Sequence, residues 1–131
     1  MFHIIQAAVR KILGDVLIES QLLTVIALVA GLLDGEQAGI AAIGNHMPGS
    51  ATKKSNKNRV YRFVSNPRID VYKICDGMIR ALALSGQIVV ATDWTQIGSL
   101  WVLASAVVIN GRAIPIFWTV IDDQVTRQKS V

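Results

Sequence analysis

Apolar residues recur at helical spacing through the first part of the chain and then switch to the pattern of strands. Phe2–Leu13 carries Ile4, Ile5, Ala8, Val9 and Ile12, with Gly14 as its stop. Asp15 is placed to cap a second helix, Val16–Leu33, whose apolar residues surround almost the whole cylinder. Such a helix has to be covered on most sides. Asp34 opens a third helix, with Gln37 completing a capping-box-like pair, and Ala38, Ile40, Ala41 and Ile43 carry it to about His46. Met47-Pro48-Gly49 breaks the chain before a fourth helix, Thr52–Val64. Val60, Phe63 and Val64 form its apolar side, while Lys54, Asn58 and Arg62 line another at i, i+4, i+8. Asp70 caps a fifth helix whose residues Val71, Ile74, Cys75, Met78, Ile79 and Leu82 make the cleanest amphipathic stripe in the chain, ended by Ser85-Gly86.

From Gln87 onward the pattern is that of strands. Gln87–Trp94 is nearly continuous in apolar residues, as expected of a central strand covered on both faces, with Asp93 at its exit. Thr95-Gln96-Ile97-Gly98 turns the chain into a second strand, Ser99–Ile109. Asn110-Gly111 favours a type I′ hairpin leading to a third, Arg112–Val120. A two-residue loop sets Ile109 opposite Arg112 and Val107 opposite Ile114. Pro115 then falls between hydrogen-bonded pairs and marks an edge strand. The fold class is α+β, an all-helical region over residues 1–86 followed by three antiparallel strands from residue 87.

Composition alters this picture at two points. The chain has 131 residues, 52% of them hydrophobic and 17% charged; its mean hydropathy is +0.45. Membrane insertion is therefore a reading to weigh. The longest apolar run, Leu22–Leu33, is about 12 residues, short of the roughly 20 needed to span a bilayer. A buried helix fits better than a membrane anchor built on Val16–Leu33. No basic segment followed by an apolar stretch and a cleavage site opens the chain, so a cytoplasmic location is expected. The one cysteine, Cys75, excludes an internal disulfide and is expected to be a core residue.

The formal net charge is +4. The positive charge is local: Lys53, Lys54, Lys57, Arg59, Arg62, Arg68, Lys73 and Arg80 are opposed in that span only by Asp70 and Asp76. Such a cluster suits a polyanionic partner, a plain solvated surface being the alternative. Short helix, turn and basic helix together also suggest a helix-turn-helix whose second helix faces DNA.

Two sequence segments, ATDWT at Ala91–Thr95 and NGRAIPIFW at Asn110–Trp118, resemble bacterial insertion-sequence transposases of the acidic-triad (DDE) type, in the IS-four-like branch. KNRVYRFVSN at Lys57–Asn66 and AIGNHMP at Ala42–Pro48 also fit, so the resemblance covers roughly Leu32–Val120. It implies that the strands are the first three of a ribonuclease-H-like catalytic domain, residues 87–131, preceded by a helical DNA-binding region. It also implies cut-and-paste DNA chemistry with two Mg²⁺ ions, in which Asp93 is the first catalytic carboxylate and a metal ligand. Without the resemblance, an aspartate at a strand end is more often a turn cap.

Lys53, Lys54, Lys57, Arg59 and Arg62 are the expected phosphate contacts, and Asn58 or Arg62 the candidate base readers. No counterpart of the family's second aspartate and later glutamate is legible. Asp122 and Asp123 follow the third strand in a polar tail and are expected to be solvated. One carboxylate cannot hold two ions, so the expectation is a truncated, catalytically incomplete transposase that binds transposon ends. It would not cleave or join DNA alone; its expected partners are copies of itself or a full-length transposase, which it could inhibit through mixed oligomers or competition. His3 and His46 are expected on helix surfaces, and Trp94, Trp101 and Trp118 in packing.

Overall fold

The structure is a computed structural model and describes residues 1–122. Its elements are α1 (Phe2–Leu13), α2 (Glu19–Gly35), α3 (Ile40–His46), α4 (Lys53–Val64), α5 (Val71–Leu82), β1 (Val90–Ile97), β2 (Leu100–Ile109) and β3 (Arg112–Asp122). The α+β class is as expected. Two compact units divide within α5, the first being Met1–Gly77 and the second beginning at Met78.

In the helical unit, α1 and α4 lie where the periodicity sets them, whereas α2 and α3 are displaced. Asp15 does not cap α2, because Val16 and Leu17 donate their backbone N–H groups to Leu13 O at 3.0 Å in a tight turn. The helix starts instead after Ile18, whose N–H is accepted by the Gln21 side chain at 3.2 Å. At the far end α2 continues through Asp34 and Gly35 and stops at Glu36, which takes the left-handed conformation at φ 54°. The expected Asp34–Gln37 cap is therefore absent, and α3 begins at Ile40 behind Gly39. Asp34 instead meets His46 Nδ1 at 2.8 Å, tying the end of α2 to the end of α3. Thr52 caps α4 by accepting from Ser55 N at 3.1 Å, and Asp70 caps α5 by accepting from Tyr72 N at 3.0 Å. Helix α5 ends at Leu82, before the expected Ser85-Gly86, and Ala83 follows it at φ 47°.

Two apolar clusters fill this unit. Ile5, Val9, Leu13 and Leu17 meet Leu22, Val25 and Ile26 of α2, with Phe63 and Ile74 packed against them. The other face of α2 contributes Ala27 to a cluster with Ile43, Met47 and Val60. Helix α2 is thus buried on two sides and not all round, since Leu23 and Leu33 remain exposed. Among the described residues no single helix is long and apolar enough to cross a membrane, and the consecutive pair α2 and α3 is bent by 96°. Cys75 is buried, as expected, but Val71 and Ile79 of the same stripe are exposed.

Glycines set the distances between these helices. A Cβ on Gly31 of α2 would lie 2.6 Å from Ile43 O of α3, and one on Gly44 of α3 would lie 2.8 Å from Lys57 N of α4. A Cβ on Gly77 of α5 would lie 2.6 Å from Ile12 O of α1. In each case the obstacle is backbone, which cannot swing aside.

The second unit is a three-stranded antiparallel sheet in the order β1-β2-β3. The Asn110-Gly111 loop has both residues at positive φ, 51° and 74°, as type I′ requires. Ile109 faces Arg112 and Val107 faces Ile114, as expected. Beyond them Ala106 faces Pro115 while Ser105 faces Phe117, so Ile116 is the extra residue of a β-bulge beside the proline. Edge strand and bulge are the two settings in which a strand tolerates proline.

Strand β1 departs most from expectation. It starts at Val90 and runs on to Ile97, so Thr95-Gln96-Ile97 is strand and the loop is Gly98-Ser99, with Gly98 at φ 60°. Expected to be covered on both faces, β1 is exposed at every position, and among the described residues only β2 pairs with it. Asp122 is the last residue of β3, exposed and opposite Leu100, and Asp123 lies outside the described residues.

Two predictions come from the helical unit. Gly44→Ala should lower unfolding free energy by about 1–3 kcal/mol, the usual cost of overpacking, as read from urea denaturation. The second concerns the exposed pair in which Arg10 Nη2 donates to Glu19 Oε1 at 2.7 Å. The Arg10 hydrogen bond holds the Glu19 carboxyl below its ordinary range, with the guanidinium charge adding to the shift. A depressed carboxylate stabilises the fold above its unfolded-state value, and that contribution is lost as pH falls through the folded-state value. The small loss of melting temperature in Glu19→Gln at neutral pH should therefore vanish in strong acid.

Candidate nucleic-acid interface

Helix α4 owes its orientation to Asn56, Val60 and Phe63, which turn inward at i, i+4, i+7; the first two are buried and the third half-buried. Val64, expected on that apolar side, is 60% exposed because the turn of the helix carries it past the contact with α2. Lys54, Asn58 and Arg62 are all exposed and follow one another along an outward stripe, with Arg62 at the edge nearest α2. Lys53 is exposed in the first turn.

The remaining two expected contacts flank that stripe. Lys57 is half-buried, its backbone and Cγ lying where a side chain on Gly44 would go. Arg59 turns toward α2 and donates from Nε to Thr24 Oγ1 at 3.2 Å. Thr24 in turn donates to Ser20 O at 3.0 Å, so Arg59 is anchored by a hydroxyl that is itself held. Tyr61, 61% exposed on the outward side of α4, was not among the sequence candidates. Its place one turn beyond Lys57 and Asn58 was the available signal.

The approach to α4 differs from a tight helix-turn-helix. The connection runs from Met47 to Thr52, longer than the three or four residues of the compact motif. Gly49 at φ 110° bends it, a conformation that side chains disfavour. Helix α3 is only seven residues long, and its buried Ile43 and Gly44 form its contact with α2 and α4.

Asp93 belongs to the sheet unit. It lies within β1, not at its exit, opposite Ala104, which in turn faces Trp118. The carboxylate is exposed, and its Oδ1 accepts from the N–H of Trp94 at 2.8 Å. The cross-strand neighbours on its face offer no oxygen ligand. Among the described residues no group of three or more His, Cys, Asp or Glu side chains could hold a metal ion. The described residues by themselves therefore do not supply the ligands of a two-Mg²⁺ centre. Trp94, expected to pack, is 47% exposed, whereas Trp101 and Trp118 are half-buried. His46, expected as an ordinary surface residue, is the partner of Asp34.

Because Asp93 is exposed and, among the described residues, its carboxylate is hydrogen-bonded to its own neighbour Trp94, Asp93→Asn should change stability by less than about 0.5 kcal/mol in urea denaturation. Comparison of the chain with protein families, with curated proteins and with solved structures finds no match.

Proposed function

We propose that this chain binds DNA through α4 and is the leading portion of an insertion-sequence transposase of the DDE type. The observation that carries the DNA reading is the outward stripe of Lys54, Asn58 and Arg62, held rigidly by buried packing on the opposite face of the same helix. Phosphate contacts from such a stripe supply affinity that depends steeply on salt and little on sequence. Asn58 is the side chain best suited to a base edge, since an amide can donate and accept together. Transposon ends are the DNA partner that the sequence resemblance implies.

The catalytic half of the reading rests on β1–β3 as the first strands of a ribonuclease-H-like sheet. Its support is the sequence resemblance together with the apolar character of β1. Val90, Trp94 and Ile97 are 47%, 47% and 62% exposed. A strand of that composition with an unpaired side is a template for further pairing. In this reading β1 acquires a neighbour from additional transposase sequence, and the carboxylates that complete a metal site with Asp93 come from there too. DNA cleavage and strand transfer belong to that completed assembly.

A second reading is supported by the lack, among the described residues, of a group of three or more His, Cys, Asp or Glu side chains that could hold a metal with Asp93. The chain then acts without catalysis, occupying transposon ends or entering mixed oligomers and so inhibiting a full-length transposase.

Fluorescence anisotropy of a labelled duplex over a salt series tests DNA binding. Lys54→Ala combined with Arg62→Ala removes two cations, so the slope of log affinity against log salt should become shallower by about 2. A wild-type chain that fails to bind duplex at low salt, or a variant with an unchanged slope, would overturn the DNA reading. Addition of the chain to a transposition assay separates the two roles, since only the inhibitor reading expects product to fall as the chain is titrated in.

A further inference from the structure

Beside α4, on the side that faces α2, lies an open pocket of about 240 Å³ whose lining includes Ser20, Thr24, Arg59, Arg62, Phe63 and Asn66. We propose that this pocket seats one phosphate group, delivered by the backbone of bound nucleic acid. The proposal rests on the DNA reading above and assigns to it a specific anchoring point that includes residues of α2.

The chemistry of the lining points to a tetrahedral oxyanion. Two arginines line the same small space, and among the described residues the Arg62 side chain has no hydrogen-bond or ion-pair partner. Arg59 spends Nε on Thr24, which leaves its two terminal nitrogens as donors. That bond fixes the plane of the guanidinium, and a preorganised planar fork is what bidentate recognition of phosphate needs. Asn66 is oriented too: its Oδ1 accepts from Arg68 N at 3.0 Å, leaving its amide N–H groups free to donate. Ser20 adds a hydroxyl from the first turn of α2.

The nearest carboxylate in sequence is Glu19, and it is already occupied. Arg10 engages it twice, at 3.0 and 2.7 Å, which offsets the negative charge that would otherwise oppose an anion at the start of α2. Phe63 supplies an apolar wall.

Thr24 is a positioning residue here, acting through Arg59. The test measures anisotropy of a labelled random-sequence duplex over a salt series with the full chain, circular dichroism serving to confirm that each variant is folded. Arg59→Gln should make the salt slope shallower by about 1, because one phosphate contact is lost. Thr24→Val should weaken binding by about fivefold with the slope unchanged, since the charge stays and only its hydrogen-bonded orientation goes. Thr24→Ser, which keeps the hydroxyl, should restore affinity.

Duplex binding that Arg59→Gln and Thr24→Val leave untouched would overturn the phosphate seat while the DNA reading stands. A parallel titration with inorganic phosphate, followed by amide resonances of Ser20, Thr24 and Asn66, identifies the source of the anion. Shifts there in a chain that does not bind duplex would overturn the nucleic-acid source and the DNA reading together. Neither response would overturn both.

Discussion

The helical unit depends on backbone touching backbone at three glycines. Each lies inside a helix, where glycine is roughly 1 kcal/mol worse than alanine, so its presence reflects packing and not propensity. Gly31 lets α3 lie against α2, Gly44 lets α4 lie against α3, and Gly77 lets α5 lie against α1. With the backbones this close, a seven-residue α3 with two buried residues suffices to hold α4. The apolar cluster of Ala27, Ile43, Met47 and Val60 closes around those contacts, and Val60 is 1% exposed.

That constraint decides which face of α4 is available. Once Asn56, Val60 and Phe63 are turned inward, Lys54 and Asn58 must point outward, while Arg62 and Arg59 lie on the α2 side of the stripe, where both line one pocket. The proposed nucleic-acid interface is thus the complement of a packing solution. Its reach extends beyond α4, because Thr24 and Ser20 join Arg59 and Arg62 around one pocket. Arg10 and Glu19 join the last turn of α1 to the first turn of α2 at the surface.

The sheet unit has a different logic. Its hairpins are specified locally, by Asn110-Gly111 and by Gly98 at positive φ, and its register follows from them. Both faces of the three strands carry apolar residues: Val102 and Trp118 lie on the side of Asp93, and Val107 and Phe117 lie on the side of Thr92. The hydroxyls of Thr92 and Ser105, 2.9 Å apart, fix that alternation. The sheet is apolar on both sides and exposed along β1, the pattern found in strands that are covered on both faces. That is the physical content of the proposal that more strands and more carboxylates complete it.

The sequence by itself determined the number of helices and strands, their order, and the hairpin register around Asn110-Gly111. These features are local, set by periods of 3.6 and 2 and by residues suited to particular turns. The cap at Asp70 was legible for the same reason, since a side-chain oxygen two or three residues before a free N–H is a local arrangement. Only tertiary structure decided where α2 begins and ends. Asp15 and Asp34 had the right chemistry for caps, but the Leu13–Leu17 turn and the continued packing of α2 overrode both. Val64, Trp94 and the whole of β1 matched buried patterns yet are exposed, because periodicity describes a face and cannot say whether anything lies against it. The pocket of Ser20, Thr24, Arg59, Arg62 and Asn66 was invisible for a related reason. It joins residues 35 positions apart, as the Arg59–Thr24 bond shows, and no local pattern carries that distance.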